Sequence, residues 1–198
     1  MGCNYIKKGR KIPCNTGVGG YKNVFFVEYV SGLIPNLLTD SSASDIYSAT
    51  ALEFGDVSAS FLFGESTTKE VYQYELKNTG DTYDETSETD ENIGNTIYTG
   101  ELKLVLPKLD KESINQVRLL TYSKSFIILE TYSGYFLLIG AENGAILSQS
   151  VKKLGGAMKD FQGVELNFKT EERIPFVYLK DSAVATLKLN IADSIQPI

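Results

Sequence analysis

No histidine occurs anywhere in this chain, and no tryptophan. Without an imidazole, Ser-His-Asp and Cys-His nucleophile systems are excluded, and the usual general base at neutral pH is missing. The lack of tryptophan counts against a sugar-binding platform. Cysteine is confined to Cys3 and Cys14, too few for a secreted disulfide framework and not in a Cys-x-x-Cys arrangement. Zinc held there would need carboxylates to complete its shell, and a Cys3–Cys14 bridge stays open. The apolar runs at residues 126–129 and 135–139 fall far short of the ~20 residues that span a bilayer. The first residues are basic but lack the apolar run of a signal peptide. The expectation is synthesis and function without export and without a membrane partner.

Apolar residues make up 42% of the chain, enough to fill a core. Tyr (12) and Phe (10), with many Val, Ile and Thr, favour strands over a helical bundle. Most glycines fall between apolar runs, where turns belong.

Charge is placed unevenly. Residues 1–22 hold Lys7, Lys8, Arg10, Lys11 and Lys22 and no acid, whereas the rest of the chain nets −11, giving −6 in all. Such an arm can touch nucleic acid, strap onto an acidic neighbouring copy, or stay solvated. The strap is favoured over the nucleic-acid tail, because the acidic body would repel DNA brought close by so short an arm.

Residues 24–30 read as a strand, and residues 31–58, rich in Ser, Asp, Gly and Pro, as an irregular excursion. Residues 70–77 and 96–106 alternate in the manner of half-buried antiparallel strands. In the second, Leu102, Leu104 and Leu106 oppose Glu101, Lys103 and Val105. Residues 78–95 between them carry six acids and no base. They read as the mobile tip of a long hairpin spanning 69–106. A calcium site on Asp81, Asp84, Asp90 and Glu91 is an open alternative, without the spacing of an EF-hand loop. Asp110 suits an N-cap for a helix over 111–124, with Ile114, Val117, Leu120 and Thr121 as its apolar stripe. Strands follow at 125–131, 135–140 and 145–150, joined by Tyr132-Ser133-Gly134 and Glu142-Asn143-Gly144. Further strands are expected at 161–169, 176–179 and 183–191. Gly17-Val18-Gly19-Gly20 lacks a third glycine at the right spacing, a preceding apolar strand and the Gly-Lys-Ser/Thr ending of a phosphate loop, so it reads as a hinge. The pattern predicts a mainly β chain: a β-sandwich or open barrel with one flanking helix. No catalytic constellation, metal motif or cofactor motif emerges.

Several stretches together resemble a known group. Cys3-Asn4-Tyr5-Ile6 through Gly9-Arg10-Lys11-Ile12-Pro13-Cys14, then Gly19-Gly20-Tyr21-Lys22-Asn23-Val24-Phe25-Phe26, form the opening. The centre is Tyr98-Thr99-Gly100-Glu101-Leu102 before the helix, followed by Ser133-Gly134 and Leu138-Ile139-Gly140. Gly156-Ala157-Met158-Lys159-Asp160-Phe161-Gln162-Gly163-Val164-Glu165-Leu166, Glu172 and Pro175 close it. In this order they resemble virion structural proteins of tailed phages infecting Bacteroidetes-type hosts, crAss-like phages among them. The resemblance covers most of residues 2–180 and rests on order and combination rather than on one signature.

The resemblance implies a tail-tube-like fold with a basic arm at 1–22, a β-sandwich domain at 23–182 and a C-terminal strand or arm at 183–198. It implies homo-oligomeric rings of six copies, stacked around a lumen that conducts DNA without reading its sequence. Tape-measure, terminator and baseplate proteins are the implied tail partners, and the virion is the implied location. Four tilted strands from each of six copies would close at about 40–50 Å, wide enough for a duplex. Gln73, Glu75, Glu101 and Lys103 are then the expected lumen residues; an acidic lumen lets DNA slide. Lys7, Lys8, Arg10 and Lys11, with Asp84, Glu85 and Glu88, are the expected interface. A ring, neck or terminator protein of the same tail, and a soluble carbohydrate- or receptor-binding β-sandwich, are the alternatives.

Overall fold

The structure, a computed structural model, describes residues 19–29, 71–76, 80–90, 94–108, 111–179, 184, 185, 187, 188 and 191. Lys7, Lys8, Arg10, Lys11, both cysteines and the excursion at 31–58 lie outside the described residues.

Among the described residues nine strands and a twelve-residue helix follow in order: β1 (Tyr21–Glu28), β2 (Val71–Glu75), β3 (Thr82–Asp90), β4 (Asn95–Pro107), α1 (Lys111–Tyr122), β5 (Lys124–Thr131), β6 (Phe136–Ile139), β7 (Ala145–Lys153), β8 (Gly163–Glu172) and β9 (Val177–Tyr178). They form one antiparallel sheet in the order β2-β1-β5-β7-β8-β4-β3, with β6 on β5 and β9 on β6. The sheet is not closed.

Its fold-over point is β5. Lys124 and Ser125 pair with β7, whereas Ile127–Glu130 pair with β6. One strand edge thus feeds two layers, β2-β1-β5-β6-β9 and β7-β8-β4-β3. Alternation along β1 sends Val24 and Phe26 to the concave side and Phe25 and Val27 to the convex side. All four are buried. The concave core joins both layers through Phe26, Leu102, Leu104, Ile127, Leu129, Leu166 and Phe168, with Val117 of α1 against them. A second core lies on the convex side of the first layer, where Phe25, Phe126, Ile128 and Leu138 meet Leu187. A two-sided core explains why β1 and β5 read as unbroken apolar runs rather than alternating ones.

Two expectations are corrected. The hairpin does not join residues 70–77 to 96–106: β2 pairs with β1, at the opposite edge of the sheet from β4. The partner of β4 is β3, aligned from Thr82↔Lys103 to Asp90↔Asn95, so most of the acidic segment is strand rather than mobile loop. Its strand character comes from the ladder and from Thr82, Thr86 and Thr89, not from burial. Near the C-terminus, Val184, Ala185, Leu187 and Lys188 are helical, where a strand is expected. Leu187 is buried, with Val184 and Ile191 packed around it; that spacing of three and four residues suits one helical face.

The strand ends shift elsewhere too. The first strand takes in Tyr21 and Lys22, and Lys22 pairs with the Glu130 carboxylate at 2.9 Å, so the basic arm gives up its last charge to the sheet. The helix stops at Tyr122 because Lys124 already belongs to β5.

The β6–β7 connection depends on Gly140, at φ +76°. A Cβ there would stand 2.6 Å from the Ala145 backbone nitrogen, with no flexible side chain to give way. Gly140→Ala is expected to cost about 2–3 kcal/mol, from left-handed strain plus overpacking. A thermal melt should fall by several degrees; an unchanged melt would mean that the turn relaxes freely.

Candidate functional site

The β3–β4 hairpin is the most distinctive element. Its pairing with β8 begins only at Tyr98↔Glu172, so Asn95, Thr96 and Ile97 run beyond the body of the sheet. Thr86 to Asp90 are all exposed, and Ile97 is 50% exposed. The ribbon is held by its ladder and by a side-chain contact of 3.0 Å between Thr89 and Thr96. Among the described residues β3 is an outer edge of the sheet. Its acidic side chains guard such an edge against indiscriminate pairing and leave it open to a partner of matching charge.

At its root the hairpin is fastened to the body. Glu85 accepts hydrogen bonds from the Tyr83 hydroxyl (2.9 Å) and the Phe176 amide (3.0 Å). The Tyr83 and Phe176 rings meet edge to face at 6.3 Å. Burial, then the Glu85 charge, pushes the Tyr83 hydroxyl far above its ordinary pKa, so it stays a donor. Asp81 holds the end where β3 starts: its Oδ1 accepts from the Val105 amide at 2.7 Å, two residues past Lys103 of the last ladder pair. Burial raises its pKa, against two backbone hydrogen bonds.

Beneath the root lies Glu172, 5% exposed. It accepts from the amides of Glu142 (2.6 Å) and Asn143 (3.0 Å). Glu142 is engaged in turn by the guanidinium and backbone amide of Arg173. Burial pushes the Glu172 carboxyl up to about 7; the two amides oppose this, and the charges of Glu142 and Glu85 add to it. A cavity of about 10 Å³ lies among Tyr83, Glu85, Thr170, Glu172 and Phe176, the size of one water.

On the convex face a shallow depression of about 400 Å³ is lined by Asp84, Glu101, Lys103, Gln149, Asn167 and Lys169, among others. It is polar and of mixed sign.

The expected site residues divide accordingly. Asp84 and Glu101 face each other across the ladder, with Lys103 two residues on. Glu88 sits towards the tip, whereas Glu85 belongs to the root and is half-buried. Gln73 and Glu75 lie on the same convex face as Glu101 and Lys103 but on β2, with β1, β5, β7 and β8 between. The structure therefore does not gather the four expected lumen residues into one patch within a subunit. Nor do Asp81, Asp84 and Asp90, three of the carboxylates expected as calcium ligands, converge; Glu91 lies outside the described residues. Asp84 and Asp90 stand about 20 Å apart along a strand, and among the described residues no group of three or more His, Cys, Asp or Glu could hold a metal. Glu172 escaped the sequence reading although a signal existed: the inward register Val164, Leu166, Phe168, Thr170 ends on it.

Among the described residues no helix is long and apolar enough to cross a membrane. No protein-family model, curated protein or solved structure matches the chain.

Proposed function

We propose that this chain is a non-catalytic structural subunit that assembles with copies of itself into six-membered rings, as a tail-tube protein of a tailed phage, around a lumen that conducts DNA. The hairpin carries the reading. A two-stranded ribbon is marginal alone in water, yet β3 and β4 continue past the sheet that supports them, with Ile97 uncovered. Pairing the β3 edge with a neighbouring copy would extend the sheet around a ring and give the ribbon its missing support. The convex polar face, with Asp84, Glu101 and Lys103, suits a wall along which DNA slides rather than binds. A single closed ring without stacking would instead fit a neck or terminator subunit of the same tail.

One observation favours a second reading, a receptor- or carbohydrate-binding module. Tyr135 and Tyr178, both exposed, stack edge to face at 5.9 Å beside Phe176.

The test is to express the chain alone and image it by negative-stain electron microscopy, alongside a variant in which Asn-Gly replaces residues 88–97. That turn joins the Ser87↔Tyr98 pair directly and matches a two-residue hairpin loop. The wild type is expected to form rings or tubes with an open centre, and the variant to keep its melting temperature but lose them. Rings from the shortened chain would remove the hairpin from the assembly. A wild type that stays monomeric and gains thermal stability from a glycan would favour the binding module.

A further inference from the structure

We propose that the turn between β7 and β8, residues 154–162, is the surface on which the hairpin tip of a second copy docks, so that copies join head to tail. This rests on the self-assembly reading and names the contact that would stack one ring on the next.

The turn presents apolar side chains to water: Leu154 is 73% exposed, Phe161 37%, and Met158 fully. They are held out by an ordered backbone. Asp160 Oδ2 accepts from the amides of Gly156 (2.9 Å) and Ala157 (2.8 Å), and the Asp160 amide returns a bond to the Ala157 carbonyl at 3.0 Å. The Lys108 amide donates to Gln162 at 3.0 Å, tying the turn to the far end of β4. Covering such side chains releases the water held against them, so a partner that fits gains from all three.

Charge names the partner. Lys111, Lys152 and Lys159 are exposed around this end and outweigh Asp160, the acid within the turn, whose carboxylate is held by two amides. From residue 82 to 101 the hairpin carries acids, including Glu88 near its tip, and no base. One strand, β4, connects the two ends and spans about 40 Å at ~3.3 Å per residue. Tip against tip would bring acids together, and turn against turn would bring lysines together. Only tip against turn is complementary. Exposed Ile97 gives the tip an apolar group to set against Met158. A contact between two different surfaces of the same chain does not close on itself, so it propagates along an axis.

Lysines around apolar side chains also suit an anionic lipid surface. The chain's net charge of −6 works against that surface and leaves the acidic tip without a role.

The full chain would be followed by sedimentation velocity and electron microscopy, with Met158→Asp, the pair Lys152→Glu/Lys159→Glu, and Glu88→Lys. These side chains are exposed, and circular dichroism melts would verify that each variant folds. Stacking by Met158→Asp or by the lysine pair is expected to need at least tenfold more protein, leaving single rings. Raised salt should weaken wild-type stacking. Mixing the lysine pair with Glu88→Lys should recover part of it, since half of the contacts in an alternating stack are then wild type and the other half set the new lysine against the new glutamates. Variants that stack as the wild type does would overturn the proposal and leave the ring reading standing. A wild type without rings at any concentration would overturn both. Vesicles of phosphatidylglycerol that bind the wild type but not Met158→Asp, with stacking unchanged, would assign the turn to lipid and overturn the proposal.

Discussion

Phe26→Ala is expected to be among the most damaging single substitutions, lowering stability by about 3–5 kcal/mol. Phe26 stands on β1 in one layer and meets Phe168 of β8 in the other, ring centroids 5.4 Å apart. It also meets Tyr74 of β2 edge to face at 5.2 Å. At 2% exposure its removal leaves a cavity between layers whose ladders, among the described residues, meet only where β5 passes to β7. The surrounding strands are fixed by their ladders and cannot collapse into the space, so the cost should sit at the upper end of the range. A thermal melt should fall by roughly 10 °C or more. Phe26→Leu, which keeps most of the volume, should lose about 1.5 kcal/mol or less. A fall of under 3 °C for the alanine variant would mean that this contact does not hold the layers together.

The second large effect is one of pH. Glu172 titrates near 4.5 when unfolded and at about 7 in the fold. Between those values the folded chain keeps a proton that the unfolded chain has released. Its contribution to stability therefore falls as pH rises through the window, from no loss below 4.5 to full loss above 7. The full difference is on the order of 3 kcal/mol. Asp81, also raised by burial, acts in the same direction. The lowered carboxylates Asp160, Glu165 and Glu171 act with the opposite sign, in a range below their ordinary pKa. Urea midpoints measured at pH 5 and pH 8 should show the wild type weaker at pH 8. Glu172→Gln should lose some stability at pH 5, because its amide nitrogen cannot accept the bond that a carboxyl oxygen takes, and it should flatten the difference between the two pH values. An equal drop in the wild type and Glu172→Gln would place the titration elsewhere.

Much of the fold was legible because local signals and final pairing agree. Glu101 to Leu106 alternate, and β4 follows that alternation with Leu102 and Leu104 buried, until Val105 is buried on the opposite face as well. The turn at Ser133-Gly134 joins β5 to its partner β6, whereas Asn143-Gly144, a hairpin signal in the sequence, leads from β6 to a strand that pairs with β5 and β8 instead. What escaped was set by distant partners. Nothing near Val71 announces that β2 will pair with Phe25 and Phe26, some fifty residues away, and the nearer alternating strand at 96–106 was the obvious choice. Strand β3 was hidden because an edge strand is defended by the same Asp and Glu that make a segment look unfoldable. The candidate site suffered more than the fold. Asp84, Glu101 and Lys103 do meet, but Gln73 and Glu75 follow β2 to the opposite edge. Glu172 became visible only once β8 placed it under the hairpin root.

The ladder between β4 and β8 runs without interruption from Tyr98↔Glu172 to Pro107↔Gly163. A pull directed along β4 loads all of those rungs at once, in shear, whereas a pull across the sheet at β3 opens its rungs one after another. The subunit is thus mechanically anisotropic. It is stiff along the line from hairpin tip to β7–β8 turn, the direction in which a tube assembled as proposed would be stretched or compressed, and compliant at the edge by which it would be peeled from a neighbour.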